Sequence, residues 1–190
     1  YEGHQAGVAS IQNAIRFCLK AQIPVLSLFA FSRENWTRPE EEVSFLMQLF
    51  FDTLDQEIQE MHDNKICVRF CGAREKLPEP LCILMDSIEN LTKNNDALVL
   101  NLALNYGGRW DLVQAMRRMA IDLAQHVLSP DNINEELISS YLTTRDIPEP
   151  DLLIRTSGEW RLSNFFLWQL AYTELYFTPT MWPDFCDAEF

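Results

Sequence analysis

The residues best suited to chemistry are two arginines, Arg155 and Arg161, with Glu159, Ser163 and Asn164 beside them and Gly158 between them. Guanidinium groups present forked N–H donors that match phosphate oxygens, and the Ser163 hydroxyl adds a neutral donor that loses little on desolvation. Apolar residues flank this polar island, 152–154 before it and 165–168 after it, so the expected chemistry is capture of an anion. For a single pair, Arg155 or Arg161 with Glu159, a structural salt bridge is the ordinary reading. Two arginines, a serine and a glycine on one short loop favour a ligand. Two further islands repeat the pattern. One gathers Ser32, Arg33, Glu34, Asn35, Trp36, Thr37 and Arg38. The other is Tyr106-Gly107-Gly108-Arg109, whose glycine pair permits a tight turn with exposed N–H groups of the kind phosphate sites use. It matches neither a dinucleotide fingerprint nor a P-loop. His4, between Gly3 and Gly7, can meet an anion at a helix start or simply face water. Glu174 sits among apolar neighbours and requires a partner, as a paired structural glutamate or as a metal ligand.

Each island must be carried by an element. Apolar runs of strand length precede all three: 24–31 before Ser32, 97–105 before Tyr106, and 152–154 before Arg155. A further strand is expected at 66–71, ended by Gly72, and a last one at 173–177. Helices fill the gaps. Val8, Ile11, Ile15, Cys18 and Leu19 recur at helical spacing up to Ala21. Thr37 and Glu40 form a capping-box pattern with Pro39 in the first turn, which predicts a helix to about Met61. Its apolar sector, including Val43, Leu46, Met47, Phe50, Leu54 and Ile58, with Phe45 and Leu49 widening it, is broad for a helix on one sheet. Burial on two sides is the ordinary explanation, and a cavity wall is the sharper one. Helices are also predicted from 77–80 through Leu91, with Leu81, Leu84, Met85, Ile88 and Leu91 inward, from Trp110 or Asp111 to His126, and over 165–170. Residues 129–150 read as linker and short helix. Alternating strands and helices predict one α/β domain over 1–190 with a mostly parallel central sheet, whose strand ends bring the islands to one edge.

Composition narrows the partners. The chain has 190 residues, 47% of them hydrophobic and 12% aromatic, enough for one large core. A net charge of −13 argues against nucleic acid, since phosphate-backbone binding needs clustered Lys and Arg. Five cysteines without a CxxC pair read as reduced, which predicts an intracellular, cytoplasmic protein. No run approaches a membrane span, so any membrane contact is expected to be peripheral.

Taken together, Gly3-His4-x-x-Gly7, Phe31-Ser32-x-Glu34-Asn35-Trp36-x-Arg38-Pro39, Asn105-Tyr106-Gly107-Gly108-Arg109 and the motif from Asp151 to Phe165 resemble the cis-prenyltransferases, the bacterial undecaprenyl diphosphate synthases above all. The resemblance spans nearly the whole chain in order and spacing. It implies a parallel sheet wrapped by helices around an apolar tunnel, and elongation of an allylic diphosphate, such as farnesyl diphosphate, by isopentenyl diphosphate with Mg²⁺ as cofactor. By resemblance, Arg155, Arg161 and Ser163 hold isopentenyl diphosphate, with Leu162 on the same loop and Glu159 orienting the arginines. His4 meets the allylic diphosphate, Ser32 and Asn35 line the reacting centre with His4, and Arg33, Glu34, Trp36 and Arg38 position substrate. Glu174 serves the Mg²⁺, and Ala30, Leu46, Leu49, Phe50 and Leu98 line the tunnel. A homodimer and transient contact of the product-bearing protein with a membrane surface, at the inner face, are implied as well.

The family's first motif, a strand ending in Asp-Gly-Asn-Gly-Arg that supplies a metal-binding aspartate, would lie just before Tyr1, and its basic tail beyond Phe190. The chain is therefore expected to be a cis-prenyltransferase-like domain truncated at both ends. Trp160 stands where a polar or basic residue is expected. A non-catalytic subunit that stabilises a catalytic partner is the alternative, and the intact arginine loop argues against it.

Overall fold

Six-to-nine-residue apolar runs have nowhere to go but the interior, and three of them meet in the centre of this molecule as Val25–Ser32 (β1), Ile66–Cys71 (β2) and Leu98–Tyr106 (β3). The computed structural model describes residues 2–185, with side chains from Gly7 onward. β3 lies between the other two and is parallel to both, in the order β1-β3-β2. Because it is covered on both faces, β3 is buried at every position but Val99, as a near-continuous apolar sequence requires.

The connecting helices are Glu2–Ala21 (α1), Glu40–Asp63 (α2), Glu79–Thr92 (α3), Gly108–Ala124 (α4) and Glu135–Tyr141 (α5). Leu98, Leu100, Leu102 and Leu104 point from β3 into one core with Ile15 and Cys18 of α1, Leu46, Met47 and Leu54 of α2, and Leu81, Met85 and Ile88 of α3. Alternate positions face the other way, where Ala103, Cys71 and Phe29 meet Tyr106, Trp110, Phe165 and Phe166. A second sheet pairs Leu152–Arg155 (β4) with Glu174–Phe177 (β5), again parallel, so Arg155 and Phe177 share one end and Leu152 and Glu174 the other. The result is the expected α/β architecture with parallel pairing, but among the described residues the strands are divided between two sheets rather than joined in one.

Local expectations fail where side chains find better partners. Thr37 does not cap α2: its hydroxyl donates to the Glu34 carbonyl at 2.8 Å, inside a 3-10 turn over Arg33–Thr37, and Pro39 occupies the cap position. Residues 165–170 form turns rather than a helix, because Ser163 and Asn164 enter with φ of 51° and 61° and Phe165 and Phe166 both bury, stacked 4.0 Å apart. α4 begins at Gly108 and ends at Ala124, earlier than expected at both ends, and Leu91 is 46% exposed rather than core.

Candidate active site

The three polar islands are brought together by Asn164, which stands in the left-handed region at φ 61°. Its carbonyl accepts from the Gly108 N–H at 2.7 Å, its Oδ1 accepts from the Arg109 N–H at 2.9 Å, and its Nδ2 donates to Glu34 Oε1 at 2.8 Å. One residue thus ties the arginine loop to the turn after β1 and to the start of α4. Gly108 makes this possible, since a Cβ there would fall 2.5 Å from the Phe165 carbonyl oxygen. The glycine pair therefore serves close packing. The first N–H groups of α4, read from sequence as a phosphate cradle, are already taken by Asn164.

On the arginine loop, Arg155 is partly buried at the C-terminal end of β4, and its carbonyl accepts from Thr178 N–H at 3.0 Å. Among the described residues no carboxylate pairs with Arg155, Arg33 or Arg109. Arg161 pairs with Glu159, both side chains largely in solvent. That pair is the structural salt bridge the sequence left open, and it holds Arg161 over the loop. Leu162 packs into the second core, whereas Ser163, at φ 51°, is exposed. Trp160 stacks on Phe177 with ring centroids 5.6 Å apart.

On the turn after β1, Ser32 N–H donates to Asn35 Oδ1 at 2.9 Å, which commits the amide oxygen to the turn. Arg33 lies over the Trp110 ring, 5.5 Å from its centroid. Trp36 donates from Nε1 to Asn105 Oδ1 at 2.8 Å and meets Phe31 edge-on. Arg38 pairs with Glu42 at 2.6 Å, an exposed i,i+4 contact that an anionic ligand can displace. His4 lies outside the described side chains.

A cavity of about 520 Å³ opens beside this turn, with Val43, Met47, Phe51 and Leu81 as apolar wall and Trp36, Arg38 and Lys76 among its polar lining. It shares Val43 and Met47 with the expected apolar sector of α2 but none of the residues named for the tunnel. Leu46 and Leu98 belong to the solid core, Ala30 and Phe50 pack against it, and Leu49 is half-buried outside the cavity lining. Glu174 also departs from expectation. It is exposed at the end of β5 opposite to Phe177 and Arg155, so its apolar sequence neighbours do not bury it. Among the described residues no group of three or more His, Cys, Asp or Glu could hold a metal ion. The Mg²⁺ implied by resemblance therefore finds no donor set within the described residues of one chain.

Asn105 and Asn164 carry the site's geometry; the sequence placed Asn164 on the arginine loop and Asn105 in the Tyr106–Arg109 motif but gave neither a role of its own. The available signal was an asparagine at the point where an apolar strand or a polar loop must turn, since Asn tolerates the left-handed region better than most residues.

The family model described as "Putative undecaprenyl diphosphate synthase" matches residues 1–190. A ditrans,polycis-undecaprenyl-diphosphate synthase of Legionella pneumophila, named as (2E,6E)-farnesyl-diphosphate specific, is 52% identical over all of this chain and 79% of its own length. A synthase of the same name from Haemophilus influenzae is 46% identical over 99% of this chain and 79% of its own. Lavandulyl diphosphate synthase from Lavandula x intermedia, solved in complex with dimethylallyl diphosphate, superposes with a TM-score of 0.94 at 40% identity, covering 99% of this chain and 81% of that one. A probable undecaprenyl diphosphate synthase from Campylobacter jejuni gives 0.86 at 34% identity, over 97% and 85%. With a family match along its entire length and relatives at about half identity, the chain belongs to the undecaprenyl diphosphate synthase family of cis-prenyltransferases, and is a transferase by that membership.

Proposed function

We propose that this protein elongates an allylic diphosphate, farnesyl diphosphate by preference, with isopentenyl diphosphate to a long-chain polyprenyl diphosphate such as undecaprenyl diphosphate. The observation that carries the reading is the junction at Asn164, which joins the Arg155–Arg161 loop to the Ser32–Arg38 turn beside an apolar-walled cavity. Two diphosphates and one growing hydrocarbon need that combination.

Loss of diphosphate from an allylic carbon leaves negative charge on the departing oxygen and positive charge on carbon. Arginines stabilise the first, and exclusion of water protects the second. Arg155, partly buried and without a carboxylate partner among the described residues, binds the diphosphate of the extending substrate with Arg161 and Ser163. Arg38 and Trp36, at the cavity, face the allylic partner. The Asn35 amide has its oxygen committed to Ser32 N–H, so it offers the substrate a donor and orients it rather than removing a proton. Leu152 and Tyr176, on one face of the β4–β5 sheet, are both exposed apolar side chains, which supports a homodimer. No helix among the described residues is long and apolar enough to cross a membrane, in keeping with no more than surface contact.

The test is incorporation of labelled isopentenyl diphosphate into farnesyl diphosphate by full-length protein, with product length read by chromatography. Incorporation is expected, and Arg161→Ala should lower kcat/KM for isopentenyl diphosphate by about 100-fold. Absence of incorporation overturns the reading.

A further inference from the structure

Asn105 closes β3 in a left-handed conformation at φ 53° and is 1% exposed. A buried amide must satisfy both its oxygen and its NH₂ group, and this one does so with two separate loops. Oδ1 accepts from Trp36 Nε1 at 2.8 Å, whereas Nδ2 donates to the carbonyls of Ala73 and Glu75 at 2.9 and 2.8 Å. The Asn105 carbonyl adds a bond from Ala73 N–H at 3.0 Å. Trp36 belongs to the turn after β1, and 73–76 to the connection between β2 and α3. Both loops reach the 520 Å³ cavity, through Trp36 and Lys76, and Lys76 Nζ lies 5.9 Å over the Trp36 ring. Asn105 itself is not part of the cavity lining. Its side chain is the strut that sets the separation of the two loops.

We propose that Asn105 is a positioning residue for the allylic substrate, acting through Trp36 and the 73–76 segment to fix the width of the cavity mouth that admits the hydrocarbon chain. This rests on the prenyl-transfer reading above. The arginine loop receives no side-chain bond from Asn105, so the effect belongs to the allylic substrate and not to isopentenyl diphosphate.

Asn105→Gly keeps the left-handed backbone accessible and removes the three side-chain bonds. In full-length enzyme, KM for farnesyl diphosphate should rise roughly 10- to 100-fold, with KM for isopentenyl diphosphate unchanged. Combined with Trp36→Phe, which removes the Nε1 donor together with part of the indole ring, the two changes should raise the allylic KM less than the product of their separate effects. A merely structural role would lower kcat with both KM values intact, or multiply the two effects, and either result overturns the proposal. If Asn105→Gly gives no cooperative melt, Asn105→Asp, which keeps the acceptor for Trp36 and loses the donors, is read the same way: an unchanged allylic KM overturns it. If the parent protein incorporates no isopentenyl diphosphate, the enzymatic reading fails separately. The strut is then judged by farnesyl diphosphate binding to parent and variant, followed by tryptophan quenching, and equal Kd values, or absence of binding to both, overturn it.

Discussion

Asn164 shows how one side chain can hold a site open by satisfying its framework. Its amide accepts from Arg109 N–H on one side and donates to the Glu34 carboxylate on the other, and among the described residues no carboxylate pairs with Arg33, Arg109 or Arg155. The direction of that second bond has a testable consequence. Asn164→Asp retains the size and the acceptor but turns the donor into a carboxylate facing Glu34, and two like charges at hydrogen-bond distance repel even in a solvated setting. The variant should lose about tenfold in kcat/KM, equivalent to ~1.4 kcal/mol. Adding Glu34→Gln, which restores a donor between the two side chains, should recover most of it. Steady-state kinetics of the single and double variants decide the matter, and a double variant as poor as Asn164→Asp alone would refute the role of the bond. The polar residues themselves were readable from sequence because each follows an apolar run. Which of them holds the others was not readable, since Asn164 and Ser163 look alike in the chain and differ only in where their side chains point.

Elements were legible in proportion to how much their own residues decide. β2 was foreseen at its observed limits, and α1 at its end, because apolar run and breaker coincide there. The 165–170 helix was not realised, since two adjacent phenylalanines serve the second core better side by side than around a helix. α2 formed without the Thr37 cap for a similar reason: the turn before it claims that hydroxyl. Gly72 is where sequence and tertiary packing meet. It follows β2 at φ 134°, and a Cβ there would stand 1.9 Å from the Leu104 carbonyl oxygen on β3. That oxygen belongs to a strand buried between two others and cannot retreat. Gly72→Ala should destabilise the protein by at least ~2 kcal/mol, by backbone strain and by steric conflict together. Urea unfolding should show a lower midpoint with an unchanged slope, and an unchanged midpoint would contradict this account.

At the scale of the whole molecule, a chain with net charge −13 meets alkaline conditions with two protonated groups sealed in its second core. Burial pushes the Cys71 thiol from 9.0 to about 12. Burial, and then the Asp111 carboxylate, raise the Tyr106 phenol well above its ordinary 10.0. Tyr106 OH donates to Asp111 Oδ2 at 3.1 Å, and Asp111 is also held by the Thr143 N–H and hydroxyl at 3.0 and 2.9 Å. Both groups have folded values above their unfolded ones, so the fold retains protons that the unfolded chain gives up. Their stabilisation is complete below pH ~9 and declines as pH rises, from ~9 to ~12 for Cys71 and from ~10 upward for Tyr106. Tyr106→Phe separates the phenol from other alkaline effects. At pH 7 it loses one hydrogen bond from an aspartate that keeps two others, about 1 kcal/mol. At pH 11 the parent has lost roughly 1.4 kcal/mol through Tyr106 alone, which the variant has not. The deficit of the variant should therefore vanish or reverse between pH 7 and pH 11 in urea titrations. A constant difference across that range would mean that Tyr106 ionises as readily in the folded protein as in the unfolded chain.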